Sequence, residues 1–420
     1  MNPAVAGAPV AVIGGGAYAA RLVEVIASVP DMPALELRLH ARDPGRLDAI
    51  ASHAAARSRA LGAAHRVGAF GDLDRALDGA AAVVLLVRVG GLAARAHDEA
   101  FPARFGQVGD EGVGLGGMAS AWRTLPVLDR IAARIAARAP GARVLNLIAP
   151  LGVTTRLLLE RGLRAVGLCE LPVLTLERWR AAAGAAEADP PLAYAGLNHL
   201  GFFWCPGRPA LDHPVLRAAV ERAEVPGELA RRLDAAPLHY FVDVFEPEAA
   251  LGAGRRRSPG RALELARLQG DLLRRFRDHP GEPAAELQRR PTPWFEQALV
   301  PALHALLGGP TYRGALNVFC AGLLDEAIPQ AVVELLGRLG TAGAHIDPVP
   351  ARPPAVRALL VRLAAAEDLL YRAAAARDRG LLAGALDALP LAWSDAARSA
   401  ARPELLDCIC SPPPPDPEIE

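Results

Sequence analysis

Hydrophobic and polar positions follow one pattern over roughly the first 170 residues, where short apolar runs alternate with segments whose apolar residues recur at helical spacing. The runs are too short for buried helices, and several begin or end at glycine or proline, which is typical of buried parallel strands. They occupy residues 9–16, 81–87, 144–150 and 165–171, and a further strand is predicted over 34–41, at the expected crossover length after the first. Strands that alternate with helices in this way predict an α/β fold of the Rossmann type, built on a mostly parallel sheet.

The pattern changes in the second half of the chain to long segments rich in arginine and leucine. Apolar residues recur at helical spacing over 261–276 and 354–378, which predicts core-facing helices with a short strand or two among them. We therefore expect a nucleotide-binding domain over residues 1–195, and a helical α+β domain for substrate binding and self-association over 196–405. The proline-rich, acidic residues 411–420 predict a disordered tail.

Charge and composition narrow the classes of partner. The 46 basic and 46 acidic side chains balance, so charge gives no reason to expect nucleic acid or a membrane as a partner. The sequence contains no lysine, which excludes lysine Schiff-base catalysis and phosphate loops that depend on lysine. No uncharged stretch reaches the roughly 20 residues of a membrane span, and the first residues lack the basic region of a signal peptide. We therefore expect a cytoplasmic protein.

A glycine turn lies between the first predicted strand and the helix after it. Gly14, Gly15, Gly16 and Ala17 begin a G-x-G-x-x-A pattern. Glycine lets the backbone turn tightly and approach a diphosphate, whose charge then lies at the helix N-terminus. The turn predicts NAD(P) binding, although glycine turns also serve as plain connections between strand and helix.

The end of the second predicted strand bears on the choice between NAD and NADP. NAD-binding proteins usually carry an acidic residue here that binds the ribose hydroxyls, whereas this chain has Arg42. An arginine suits the 2′-phosphate of NADP, so NADP is the alternative to NAD. Arg42 could equally cap a surface loop.

Four segments together resemble the NAD- and metal-dependent glycosidases of glycoside hydrolase family 4. They are the glycine turn, the stretch RVGGLAARAHDEAFPARFGQVGDEGVGLGG at 88–117, and the motifs GLCELP and GLNHLG. The resemblance covers roughly residues 9–350 and is strongest over 81–205. It implies a lactate/malate dehydrogenase-like fold, NAD, a divalent metal such as Mn²⁺, and a homodimer or homotetramer.

The implied activity is cleavage of a glycoside or 6-phosphoglycoside by transient oxidation. The sugar is oxidised at C3, deprotonated at C2 and loses its aglycone by elimination; water then adds and the hydride returns. This route differs from the paired-carboxylate mechanism of most glycosidases.

The resemblance also implies roles for individual residues. Cys169 and His199 would be the metal ligands, Tyr240 the base at C2, and Asn198 a hydrogen-bonding partner of the sugar or the metal. Glu170 would be a general acid or an outer partner of the metal site. A small buried core residue remains the alternative for the cysteine, and an aromatic packed at a domain junction the alternative for the tyrosine.

Arginines at family positions imply contacts with the substrate. Two of them resemble contacts to a substrate phosphate, which the planar guanidinium can bind through two parallel hydrogen bonds. The implied substrate-binding arginines are Arg88, Arg95, Arg261 and Arg290.

The chain also departs from the family pattern. Ala149 replaces the asparagine of the family's NPxG motif, GQET becomes GDEG at 109–112, and the later NxxNxG element is altered at 317–322, where Cys320 stands. These changes concern sugar contacts more than the redox chemistry. They leave open a sugar or cyclitol dehydrogenase or epimerase that does not cleave its substrate. They also leave open an inactive nucleotide-binding homologue, although such a protein has no physical need of the retained Cys, His and Tyr.

Overall fold

The structure is a computed structural model that describes residues 7–184, 191–246, 261–324, 331–391 and 393–411. Apart from Ser411, the predicted disordered tail lies outside these residues. The strands of the described chain are β1 (Ala8–Gly14), β2 (Leu35–His40), β3 (Arg66–Phe70), β4 (Ala82–Leu86), β5 (Arg143–Asn146), β6 (Arg164–Cys169), β7 (Ala193–Leu197), β8 (Leu200–Trp204), β9 (Ala236–Pro237), β10 (Tyr312–Phe319), β11 (Val332–Gly340) and β12 (Gly343–Ile346).

The helices belong to both halves of the chain. The longest is a 25-residue helix, α5, and the helices of the second half include the two predicted from helical periodicity. In chain order they are α1 (Tyr18–Ala27), α2 (Pro44–Ala60), α3 (Leu73–Leu77), α4 (Gly91–Ala100), α5 (Gly114–Arg138), α6 (Leu151–Glu160), α7 (Leu171–Ala183), α8 (Pro214–Glu221), α9 (Gly227–Leu233), α10 (His239–Phe245), α11 (Arg261–Asp278), α12 (Val300–Leu306), α13 (Pro354–Ala376), α14 (Arg379–Ala388) and α15 (Asp395–Cys410).

One sheet contains the strands of both halves, in the order β3-β2-β1-β4-β5-β6-β10-β11-β7-β8-β9, with β12 paired to β11. The first six strands pair in parallel in the order typical of Rossmann folds, which confirms the predicted fold class. From β10 onward the pairs are antiparallel. The sheet continues across residue 195, inside β7, where we expected a domain boundary.

Packing on both faces explains why β1 is a continuous apolar run in the sequence. Val10 and Val12 join one hydrophobic cluster, with α1, α2 and α11, while Ala11 and Ile13 join another, with α5 and α13. A strand buried on both faces loses the alternation of polar and apolar residues that marks a half-exposed strand. Within the described ranges, no helix is long and apolar enough to cross a membrane.

Candidate active site

A cleft of about 1040 Å³ opens at the carboxyl ends of the parallel strands, which is where ligands bind in sheets of this kind. The segments after β1, β4, β5 and β6 contribute to its lining, as do the β7–β8 turn and α10. The cleft brings together most of the residues that the sequence singles out: Gly15, Arg88, Arg95, Cys169, Glu170, Asn198, His199, Tyr240, Arg261 and Arg290.

The glycine turn has the backbone that a nucleotide-binding turn requires. Gly14, Gly15 and Gly16 all have positive φ, at 88°, 90° and 53°. A side chain at Gly14 would clash, because its Cβ would lie 2.9 Å from the carbonyl oxygen of Leu86. Ala17 precedes the first turn of α1, and that turn contains no acidic residue to oppose an anion. The turn therefore fits a diphosphate.

Arg42 is exposed just beyond the end of β2 and does not belong to the cleft lining. Gly14, Gly16 and Ala17 are also outside the lining, although they flank Gly15, which is part of it. The structure thus separates Arg42 from the residues that surround Cys169.

Cys169 is the last residue of β6 and is 4% exposed. Burial raises the pKa of its thiol well above the ordinary value, and the charges of Glu334 and Glu170 raise it further. The polar groups of the Leu171 backbone and the Asn198 side chain lower this pKa, but by less. A cation at the sulfur would favour the thiolate.

The β7–β8 turn presents His199. Leu197 and Leu200 are paired in the ladder, so the turn consists of Asn198 and His199 alone. His199 has φ 66°, in the left-handed region, and its ring stacks on Tyr240 of α10 with the ring centroids 4.2 Å apart. The implied metal ligand and the implied base are therefore in contact.

Glu170 follows Cys169 and precedes the first turn of α7. Burial raises the pKa of its carboxyl group, and the charge of Glu334 acts in the same direction. A raised pKa keeps the carboxyl group protonated at higher pH, which suits a general acid.

Glu334 was not identified by the sequence analysis, although it is fully buried beside these residues. Its carboxylate accepts hydrogen bonds from the side chains of Tyr194, Asn198 and Asn317. The one available signal was a single acidic residue inside the apolar strand AVVELLG. Its partners could not be read from the sequence because they come from other strands.

The arginines of the cleft are partly neutralised by carboxylates. Arg88 donates two hydrogen bonds of 2.8 Å to Glu111, while Arg95 lies 3.1 Å from Glu111 and 2.7 Å from Glu99. Burial by itself would raise the pKa of Glu111, but the charges of Arg88 and Arg95 outweigh it and lower the pKa to about 2. Glu111 is therefore a second charged residue of the cleft to which the sequence analysis gave no role.

Arg290 lies between two aromatic rings. Its guanidinium carbon is 4.8 Å from the ring centroid of Tyr18 and 4.9 Å from that of Trp294. Burial and the nearby charges of Arg88 and Arg95 lower its pKa to about 10. Its buried Nε has no hydrogen-bond partner within the described part of the chain, which suits contact with an anionic or hydroxyl-bearing ligand.

The donor chemistry of the cleft fits a divalent transition metal. Cys169 and His199 offer a thiolate and an imidazole, which are strong ligands for first-row divalent metals. In the described segments, no group of three or more His, Cys, Asp or Glu side chains forms a complete metal site. The protein would thus supply two donors and leave the remaining positions to a ligand or water, as in catalytic rather than structural sites.

Comparison with known proteins decides the family. A model of family 4 glycosyl hydrolases matches residues 9–184, and a model of the C-terminal domain of the same family matches residues 194–392. The chain belongs to glycosyl hydrolase family 4.

Relatives within family 4 differ in how much of the chain they match. A probable 6-phospho-beta-glucosidase of Bacillus subtilis is 34% identical over 203 residues, which are 47% of this chain and 46% of that protein. The alignment thus spans about half the length of this curated relative. The 6-phospho-beta glucosidase of Thermotoga maritima, solved with manganese, NAD+ and glucose-6-phosphate, has a TM-score of 0.78 at 20% identity. That superposition covers 95% of this chain and 97% of the other.

The family 4 fold extends to the dehydrogenases that the sequence analysis named. The lactate dehydrogenase of Cryptosporidium parvum has a TM-score of 0.52 at 12% identity, covering 88% of this chain and 98% of that enzyme. The predicted lactate/malate dehydrogenase-like fold is thereby confirmed. At these identities the solved structures establish the fold alone.

Proposed function

We propose that this chain is a glycosidase that uses NAD and a divalent metal to cleave a glycoside or 6-phosphoglycoside. One observation carries the proposal: the cleft lined by Gly15 after β1 is also lined by Cys169, His199 and Tyr240. A nucleotide at the glycine turn would then share one cavity with two metal donors and a base. Family 4 membership supports the same reaction.

Different segments of the chain would hold the two groups. The glycine turn of Gly14, Gly15 and Gly16 would hold the diphosphate, and Cys169 and His199 would hold the cation. When bound, NAD supplies reversible hydride transfer at the sugar C3, and the cation acts as a Lewis acid on sugar oxygens.

Proton transfer falls to two side chains in this proposal. Tyr240 takes the C2 proton, and its stacking on His199 ties its position to a metal donor. Glu170 gives a proton to the leaving oxygen, a role that its raised pKa favours. An outer-sphere role at the metal remains the other assignment for Glu170, since it directly follows Cys169.

Substrate contacts are proposed for Asn198 and the cleft arginines. Arg88 and Arg95 share Glu111, so part of their charge is already balanced. Arg290 and the exposed Arg261 are the better candidates for binding a phosphate on the sugar. Comparing each glycoside with its 6-phosphorylated form would test this, and equal kcat/KM for both forms would contradict a phosphate contact.

The choice between NAD and NADP is proposed to depend on Arg42. An exposed guanidinium beyond β2 would attract a 2′-phosphate, whereas NAD binding needs no such charge. Substituting Arg42→Ala should leave NAD affinity unchanged, and a loss of NADP affinity would reveal a 2′-phosphate contact. The family relatives favour NAD as the physiological cofactor.

The decisive experiment uses protein supplied with Mn²⁺ and NAD in deuterated water, with a panel of α- and β-glycosides and their 6-phosphates. We expect a released sugar that carries deuterium at C2 and no net accumulation of NADH. Stoichiometric NADH with an uncleaved substrate would instead identify a dehydrogenase. Cleavage without deuterium at C2 would contradict the elimination route.

A cytoplasmic location and a homodimer or homotetramer complete the proposal. Family resemblance supports both. Light scattering over a dilution series would test the oligomeric state, with a single monomer mass at all concentrations as the contradicting result.

A further inference from the structure

Glu334 is a buried carboxylate to which the proposed reaction gives no task. It lies in β11 and is 0% exposed. In the sheet, β11 lies between β10 and β7. Beyond β10 lies β6, which ends at Cys169, whereas β7 leads to the turn that contains His199. Glu334 therefore lies between the strands that carry the two proposed metal donors.

Three hydrogen bonds fix this carboxylate from three directions. Tyr194 of β7 donates its hydroxyl to Oε1 at 2.6 Å, while Asn198 and Asn317 donate their Nδ2 groups to Oε2 at 2.7 and 3.0 Å. Asn317 is directly opposite Glu334 in the β10–β11 ladder. A buried charge with several donors is held rigidly, because losing any donor leaves the charge less well compensated.

Two amides connect Glu334 to the elements that carry the proposed donors. Asn198 donates to Glu334 and immediately precedes His199 in the two-residue β7–β8 turn. Asn317 also donates to Glu334 and is paired with Gly167 of β6, two residues before Cys169. Glu334, Asn198 and Asn317 thus connect β6 to the turn, and a shift of the Asn198 amide would move the backbone of His199 relative to Cys169.

We propose that Glu334 is a positioning residue that sets the placement of His199 relative to Cys169 through the Asn198 amide. The inference rests on the proposed function, because the role is directed toward a divalent cation held by those two side chains. Outer partners of metal ligands commonly change metal affinity by about 10–100-fold when they are replaced. An effect of that size is expected here.

The test substitutes Glu334→Gln, which keeps the shape but removes the negative charge to which Tyr194, Asn198 and Asn317 donate. Co²⁺ is titrated into the full chain by calorimetry and by the absorption of cobalt–thiolate bonds, which reports ligation by Cys169. We expect Co²⁺ affinity to fall by about 10–100-fold and the thiolate absorption to weaken. NAD affinity should stay unchanged, because the glycine turn lies at the end of another strand.

Tyr194→Phe is the matched control. It removes a donor from Oε1 but leaves the Asn198 and Asn317 bonds to Oε2, so Co²⁺ affinity should fall clearly less than in Glu334→Gln. Asn198→Ala breaks the link from the other side and should weaken Co²⁺ binding as Glu334→Gln does. This second variant keeps the test valid if Glu334→Gln fails to fold, which thermal melting would reveal.

The inference would be overturned if Glu334→Gln and Asn198→Ala both kept the Co²⁺ affinity and the thiolate absorption of the wild type. That result would leave the proposed function intact. An equal loss in Tyr194→Phe would also overturn the inference, since the effect would then be one of general packing. A wild-type protein that binds no Co²⁺ would overturn the proposed metal-dependent function and this inference with it.

Discussion

His199 holds a backbone conformation that L-residues rarely adopt, with φ 66° in a tight turn where glycine or asparagine is more usual. Such a conformation costs on the order of 1–3 kcal/mol and persists where the surroundings fix it. The hydrogen bond from Asn198 to the Glu334 carboxylate is of a kind that contributes about 1.5–3 kcal/mol. The two magnitudes are comparable, so this bond can offset the strain that presents the imidazole to the cleft.

Replacing Tyr240→Phe should lower kcat by about 10²–10⁴-fold, because the variant loses the phenolic oxygen that would accept the C2 proton. The ring would still stack on His199, so Co²⁺ and NAD affinities should be retained. Steady-state kinetics and calorimetry on the same preparation would check both statements. Wild-type kcat in this variant would remove Tyr240 from the mechanism.

His53 predicts a pH dependence of stability. It is 2% exposed on α2, stacked on Phe276, and burial lowers its pKa to about 4. The pKa of an unfolded histidine is about 6.5. Between that pH and about 4, the unfolded chain therefore binds a proton at His53 that the folded chain does not bind. Stability should decline as pH falls from about 6.5 to about 4, by up to about 3 kcal/mol from this residue.

Urea unfolding would measure this contribution. The wild type and His53→Gln would be compared at several pH values between neutral and acidic. The variant should lose less stability on acidification than the wild type, whatever its stability at neutral pH. Parallel pH profiles for the two proteins would show that His53 does not contribute.

Secondary-structure elements were predictable where one periodicity dominated. Short apolar runs predicted β1, β4 and β6, and apolar residues at helical spacing predicted α11 and α13. β8 was not predicted, because its apolar run, LGFFW, has only five residues and contains a glycine. In the cleft, motifs identified Cys169 and His199, whereas Glu334 and Glu111 depend on partners distant in sequence that no local pattern reveals.

The β1–α1 turn offers a sharp test of nucleotide binding. Gly15→Ala places a Cβ 3.1 Å from the Leu86 side chain at φ 90°, and should weaken NAD affinity by about 10-fold or more, since about 1.4 kcal/mol corresponds to tenfold. Gly162→Ala is the matched control, because Gly162 also has positive φ but its Cβ would meet open space. Its NAD affinity should stay at the wild-type value.

Calorimetric titration of NAD into both variants separates the two effects. Equal losses of affinity would mean that backbone strain acts through general destabilisation. Unchanged NAD affinity in Gly15→Ala would contradict the placement of the diphosphate at this turn.

At the scale of the whole molecule, one sheet joins strands from both halves of the chain. β10 and β11 come from the second half of the chain, yet they lie between β6 and β7. A fragment ending at residue 184 would leave β6 as an apolar edge strand without its partner. We therefore expect this fragment to aggregate or to bind hydrophobic dyes, whereas a cooperative unfolding transition of the fragment would contradict the prediction.

The position of β10 and β11 in the sheet also has a consequence during synthesis. The ribosome adds Cys169 and His199 more than a hundred residues before it completes β11 at Gly340. Until then the growing chain carries both proposed donors without the strands that lie between β6 and β7. Contacts between residues so far apart in sequence form slowly, so a cation that needs both side chains should bind only after β11 has been synthesised.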